Sequence, residues 1–188
     1  MYKYYILLLI ILCSNCHHSA TEKHQTKRAH IVDVHDKVRE IKTGVVLLNS
    51  YCQVYVIDKY IVISDHKTPG NQIHLFDKNN FDYIIGTAPV GQGPGEITVI
   101  GHIAEDRLRH QLLVSDFGKQ RIFSYDLDSL LADSAYLPKV KMILNQAEFP
   151  DRYDYLNDTL AFGPIIKPTG DYGFNQIAGK WNMQTGAI

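Results

Sequence analysis

Residues 60–126 constrain the fold of this chain more than any other stretch, because they state one pattern twice. Tyr60-Ile-Val-Ile-Ser-Asp65, a turn, and Gln72-Ile-His-Leu-Phe-Asp77 come first. Gln111-Leu-Leu-Val-Ser-Asp116, a turn, and Arg121-Ile-Phe-Ser-Tyr-Asp126 repeat them. Asp65 and Asp116 lie 51 residues apart, and Asp77 and Asp126 lie 49 apart. Each run is short, apolar and bounded by turn residues, which is the pattern of strands. An all-β unit repeated at this length predicts propeller blades, each a four-stranded antiparallel sheet.

The flanking segments extend the pattern. Strands are expected at His30–His35, Gly44–Leu48 and Cys52–Ile57, with Asp58-Lys59 as a turn. Ile61-Val-Ile63 is apolar throughout, as suits a strand covered on both faces by neighbouring blades. Pro69-Gly70 presets a hairpin turn. Phe81–Gly86 is the next strand of the first copy. Lys139–Leu144 is its counterpart in the second, after an inserted turn at Leu130–Ser134. Lysines at alternate positions there suit an outermost, solvent-facing strand. A weaker third copy sets Thr159-Leu-Ala-Phe162 against Tyr60-Ile-Val-Ile63, with Phe174–Met183 as its next strand.

Between the copies lies Gly91-Gln-Gly-Pro-Gly-Glu96. Alternating glycines invite a phosphate cradle. A dinucleotide fingerprint would need glycine where Glu96 stands and a helix after it, whereas Ile97–Ile100 has a strand pattern. No Gly-Lys-Ser/Thr is present. The expectation is structural: the glycines permit positive φ, and Pro94 stiffens the crossing between blades.

The N-terminus reads as an export leader over residues 1–16. Ile6–Leu12 is its apolar run, short of the roughly 20 residues a spanning helix needs. Cys16 closes it and is the candidate acceptor of a lipid anchor; ordinary signal cleavage is the alternative. Cys13-x-x-Cys16 has redox or metal spacing, but it sits inside a leader. Residues 17–28 are polar and form a tether, and residues 29–188 form the propeller region. The formal net charge of −1 gives no basic field for nucleic acid.

Few residues recommend themselves for chemistry. His17, His18, His24, His30 and His35 are irregularly spaced and read as solvated. Cys52 is expected to be a small hydrophobe on a strand. His66, His74, His102 and His110 are the metal or acid–base candidates of the repeat region, but no matching ring of ligands recurs between copies. Asp65, Asp77, Asp116 and Asp126 recur with the repeat and are expected to accept backbone N–H bonds at turns. Asn157-Asp-Thr159 fits a glycan sequon and reads as a turn. No cofactor-binding, catalytic or metal-ligand set emerges.

The order of apolar strand, Ser-Asp, turn, Arg/Gln-Ile, Phe/Tyr-Asp, turn, Ile-Gly and Gly-x-Gly-x-Gly resembles the repeat of NHL-type propellers. Gly-Gln-Gly-Pro-Gly-Glu behind a lipoprotein-type leader is similar to the six-bladed, TolB-like propeller lipoproteins of Gram-negative gut bacteria. The resemblance implies export and outer-membrane anchoring through Cys16. It also implies an incomplete ring, since the 172 residues after Cys16 hold three to four blades. Three functions follow. The first is a non-catalytic envelope lipoprotein offering a propeller surface to a protein or other ligand. The second is a metal-assisted lyase or hydrolase on the same scaffold. The third is a truncated, non-functional copy of a longer protein.

Overall fold

The computed structural model describes residues 32–188 except 43, 45 and 134. The leader, Cys13, Cys16 and the tether with His17, His18, His24 and His30 lie outside the described residues. The chain divides into two compact units, residues 1–40 and 41–188. The described part of the first, residues 32–40, is exposed and holds a single 3-10 turn, His35–Lys37. The strand expected at His30–His35 is therefore corrected over Val32–His35. Asp33 accepts the His35 N–H (2.9 Å), and this local bond competes with extended pairing.

The second unit is all-β. Its first sheet is formed by β1 (Cys52–Ile57), β2 (Tyr60–Asp65), β3 (Asn71–Asp77) and β4 (Tyr83–Pro89), paired antiparallel in chain order. The second is formed by β5 (Ile100–Asp106), β6 (Gln111–Asp116), β7 (Arg121–Asp126) and β8 (Lys139–Ile143) in the same order. The third joins β9 (Phe149–Pro150) and β10 (Asp154–Tyr155) to β11 (Leu160–Pro168), which pairs with β12 (Phe174–Asn182). These are propeller blades, and the repeat in the sequence is the repeat of the sheets. Between β7 and β8, the expected turn is a short helix, α1 (Leu127–Ala132), whose first turn is capped by Asp126 accepting the Ser129 amide (2.8 Å).

Strand alternation sends β6 both ways. Leu112 and Val114 join a core with Ile57, Val62, Ile73 and Leu75 of the first blade. Leu113 between them joins a second core with Tyr153, Ala161, Ile165 and Trp181 of the third. All three β6 residues are fully buried, so each contributes about 1.5–3 kcal/mol of apolar burial. The second blade is covered on both faces and needs no polar alternation, which is why β6 reads as an unbroken apolar run.

Three expectations shift. No strand forms at Gly44–Leu48 among its described residues; Gly44 takes φ +57°, off the extended path. The strand expected at Ile97–Ile100 begins only at Ile100, because Thr98 and Val99 give their amides to Asp116 instead of a ladder. The third copy is displaced by one residue from the sequence alignment. Asn182, like Asp77, accepts two turn amides, and the Met183 N–H meets Thr159 as that of Lys78 meets Lys59. Leu160, not Thr159, therefore corresponds to Tyr60, and every facing residue changes side.

Candidate functional site

The Ser-Asp pairs repeated in the sequence are the hinges of the architecture. Ser64, Asp65, Ser115 and Asp116 are fully buried. One Asp116 oxygen accepts the Thr98 amide at 2.9 Å; the other accepts those of Val99, Gly118 and Lys119 at 3.0–3.1 Å. One carboxylate thus ties the incoming crossing to the outgoing turn. Asp65 does the same for the first blade, accepting from Asn49 through backbone and side chain and from Lys67. Burial pushes the Asp65 carboxyl up, but the Asn49 and Lys67 donors outweigh it and hold it below the usual range. Asp77 and Asp126 accept turn amides, as expected.

The glycine loop is closed by its own glutamate. Glu96 Oε2 accepts the Gly93 amide at 2.6 Å. A Cβ on Gly91 would stand 2.0 Å from that same oxygen. The carboxylate fills the hollow that an anion would use, while Lys119 donates to the carbonyls of Gly93 and Glu96 (2.9 and 2.8 Å). This loop is a clasp, as the structural reading expects.

The candidate histidines are not brought together. His66 contacts Ser64 (3.2 Å) and the Tyr51 ring. His74 is buried on β3 with Nδ1 unpartnered. His110 lies between Asp58 and Asp128 (3.4 and 3.3 Å). Among the described residues, no three His, Cys, Asp or Glu side chains gather as a metal set. Cys52 is half-buried, its thiol donating to Asn49 (3.1 Å) and pushed up in pKa by burial and then by Asp65. Asn157 accepts the amides of Thr159 and Leu160, forming a turn.

His102 stands apart, because three blades meet at it. Its ring lies edge-on to Tyr55 of β1 (5.6 Å) and to Tyr153 (5.2 Å). Its Nε2–H donates to the Tyr153 carbonyl at 2.9 Å, so the neutral ring carries its lone pair on Nδ1. Burial lowers its pKa, partly offset by that carbonyl. Beside it opens a cleft of about 630 Å³ where β1, β5 and residues 154–158 converge. Tyr55, His102 and Tyr155 give it aromatic walls; Asp154, Asp158 and Arg107 supply charge. A smaller hollow of about 330 Å³ shares Tyr55 and His102 and adds Arg152. Glu105 and Asp106 are held by Arg107 (2.9 Å) and Arg109 (3.0 Å). The Tyr155 hydroxyl is buried without a partner, and its pKa is raised by burial and then by Asp106. Aromatic walls with a few convergent polar groups make this cleft the candidate site.

Gly163 makes this possible. A Cβ there would stand 2.0 Å from the Arg152 carbonyl, so only glycine lets residues 151–153 leave the sheet and carry Tyr153 to His102. Sequence reasoning missed Tyr55, Arg152, Tyr153 and Tyr155. The signal was the dense charged and aromatic run Asp151-Arg-Tyr-Asp-Tyr155, just ahead of the third copy.

A family model described as a 6-bladed beta-propeller matches residues 42–163. The chain belongs to this family of six-bladed β-propellers. Among solved structures, this propeller is similar to a protein of Bacteroides fragilis NCTC 9343 described as exported. Identity is 12% and the TM-score 0.41, with 73% of this chain and 52% of that one covered. The propeller chain thus spans about half the length of that protein. No curated protein matches the sequence.

Proposed function

We propose that this chain is a non-catalytic cell-envelope lipoprotein of the TolB-like, NHL-like kind, which engages a protein or other ligand at the cleft around His102. The observation that carries the reading is the convergence of three blades on that cleft, with aromatic walls and a buried, unpartnered Tyr155 hydroxyl. A rigid disc of blades holds such a mouth in place, and binding residues at its loops vary without cost to the core. The leader supports export, with Cys16 as the acylated residue and the outer membrane as the anchor's destination.

Photo-crosslinking in a Gram-negative host tests the site. A photoreactive residue at Tyr155 is expected to give a discrete adduct, and one at Val140 on the outer strand none. Equal labelling at both positions would remove the cleft from the reading. Labelling with a radioactive fatty acid tests the anchor, with label expected on the chain and absent from Cys16→Ala. The free Nδ1 of His102 favours a second reading, metal-assisted lyase or hydrolase chemistry. Stoichiometric zinc, calcium or iron that is lost in His102→Gln would revive it, and turnover that disappears with the metal would establish it.

A further inference from the structure

The rim of the His102 cleft bears on what enters it. Leu108 stands in the turn that joins β5 to β6, and Leu156 in the bend that joins β10 to β11. Both line the cleft, yet they are 71% and 54% exposed. The corresponding turn of the first blade holds Asp58 and Lys59. The second blade is covered on both faces, so the exposure of Leu108 belongs to the turn itself. The bend at Leu156 is held by its amide, which donates to the Leu160 carbonyl (2.8 Å), and by the Asn157 side chain. Neither leucine side chain is needed to form its turn. Together they make an apolar lip of the kind that a partner's residues cover.

Charge on the lining is one-sided. Glu105 and Asp106 are answered by Arg107 and Arg109. Asp154 and Asp158 are exposed and have no cation within ion-pair distance among the described residues. Arg107 is tied to Glu105 through Nε and is otherwise directed to solvent; Arg152 lines the smaller hollow rather than the cleft. The His102 Nδ1 adds a third acceptor, and Tyr55 and Tyr155 add aromatic rings. Carboxylates and ring faces both attract a cation. A group that answers acceptors, rings and an apolar lip carries several N–H donors and a positive charge on an apolar stem. Lysine and arginine side chains are built in this way.

We propose that the cleft receives a lysine or arginine side chain of a protein partner. Its charged head meets Asp154, Asp158 and the tyrosine rings, and the residues that flank it cover Leu108 and Leu156. This inference rests on the reading of the cleft as the binding site, and narrows the ligand from a protein or other molecule to a basic protein segment. The exposed carboxylates contribute encounter rate and choice of partner more than affinity, while the leucines and rings supply contact area. The complex therefore weakens as salt rises.

Titration of the full chain in mild detergent, followed through the ring resonances of Tyr155 and His102, tests this. The probes are acetyl-Leu-Arg-Leu-amide, acetyl-Leu-Lys-Leu-amide, acetyl-Leu-Glu-Leu-amide and butylguanidine. The two basic peptides are expected to bind, and the glutamate peptide is not. Asp154→Asn together with Asp158→Asn should weaken the basic peptides about tenfold, as the loss of two exposed ion pairs implies. Asp82→Asn, outside the cleft, should leave them unchanged. Leu108→Ser together with Leu156→Ser should remove the advantage of the peptides over butylguanidine. Equal binding of the glutamate peptide, no saturable shift with either basic peptide, or indifference to the paired aspartate substitutions overturns the proposal. Butylguanidine that binds as tightly as the peptides overturns the protein source of the cation. The cleft reading fails separately. The adduct from a photoreactive residue at Tyr155 is expected to weaken in the chain that lacks both carboxylates. An adduct that persists there keeps the cleft and removes the basic group, whereas absence of both adduct and peptide binding removes the two together.

Discussion

The chain enters its second blade and its third by different devices. At the second, the Asp116 carboxylate collects four amides and the Glu96 clasp fixes the loop ahead of it. At the third, the positions of Ser115 and Asp116 hold Pro164 and Ile165, which offer no side-chain acceptor. The inner strand there is broken into β9 and β10, and residues 151–153 between them bulge past Gly163 to meet His102. The carboxylate brace fixes the crossing into the second blade, which keeps β5 as one strand although its register shifts between Ile100 and Ile103 beside His102. Without the brace, backbone is released from the ladder and becomes available to build a site.

The largest expected effect tests the brace itself. Asp116→Ala leaves four amides without their acceptor in a buried crossing, and is expected to cost about 3–5 kcal/mol in urea unfolding. Asp65→Ala should cost less, because its crossing lies at an outer face rather than between two blades. Equal losses would erase that distinction. Gly163→Ala attacks the other device. Its Cβ meets backbone rather than a movable side chain, so about 2–3 kcal/mol of stability is expected to go, as for an overpacked core. The His102 ring resonances should shift with it, and an unchanged His102 environment would detach the bulge from the site.

Glu96→Gln keeps the shape of the clasp and removes its charge. About 1 kcal/mol is the expected loss, with the crossing otherwise intact. The smallest effect is pH dependence. Burial holds the pKa values of His66, His74 and His102 below 6.5 in the fold. The unfolded chain therefore binds more protons just below that value. The stability that these neutral rings contribute is full above about pH 6.5 and is lost as pH falls through the lower folded values. His102→Phe should flatten part of that slope in urea titrations between neutral and mildly acidic pH.

The regular half of this comparison was legible in the sequence. Ser64-Asp65 and Ser115-Asp116, the turn aspartates and the unbroken apolar runs together specify strand, hinge and blade, since each local choice agrees with the others. The third blade was read one residue out of register. It lacks the Ser-Asp marker, and a repeat without its marker gives alternation but no phase. The site was illegible for the same reason. Tyr55 lies nearly one hundred positions before Tyr153, and nothing local announces that a bulge will bring both to His102. The glycine loop shows the converse: its glycines suggest an anion site, and the adjacent Glu96 carboxylate fills it.

The most direct test of the two devices is native-state hydrogen exchange at single-residue resolution. The Thr98 and Val99 amides, held by Asp116, are predicted to exchange only with opening of the first two blades. The Arg152 and Tyr153 amides, which bulge from the sheet, are predicted to exchange by local opening, well before unfolding. Equal protection at the two crossings, or greater protection at Arg152 and Tyr153, would contradict the account.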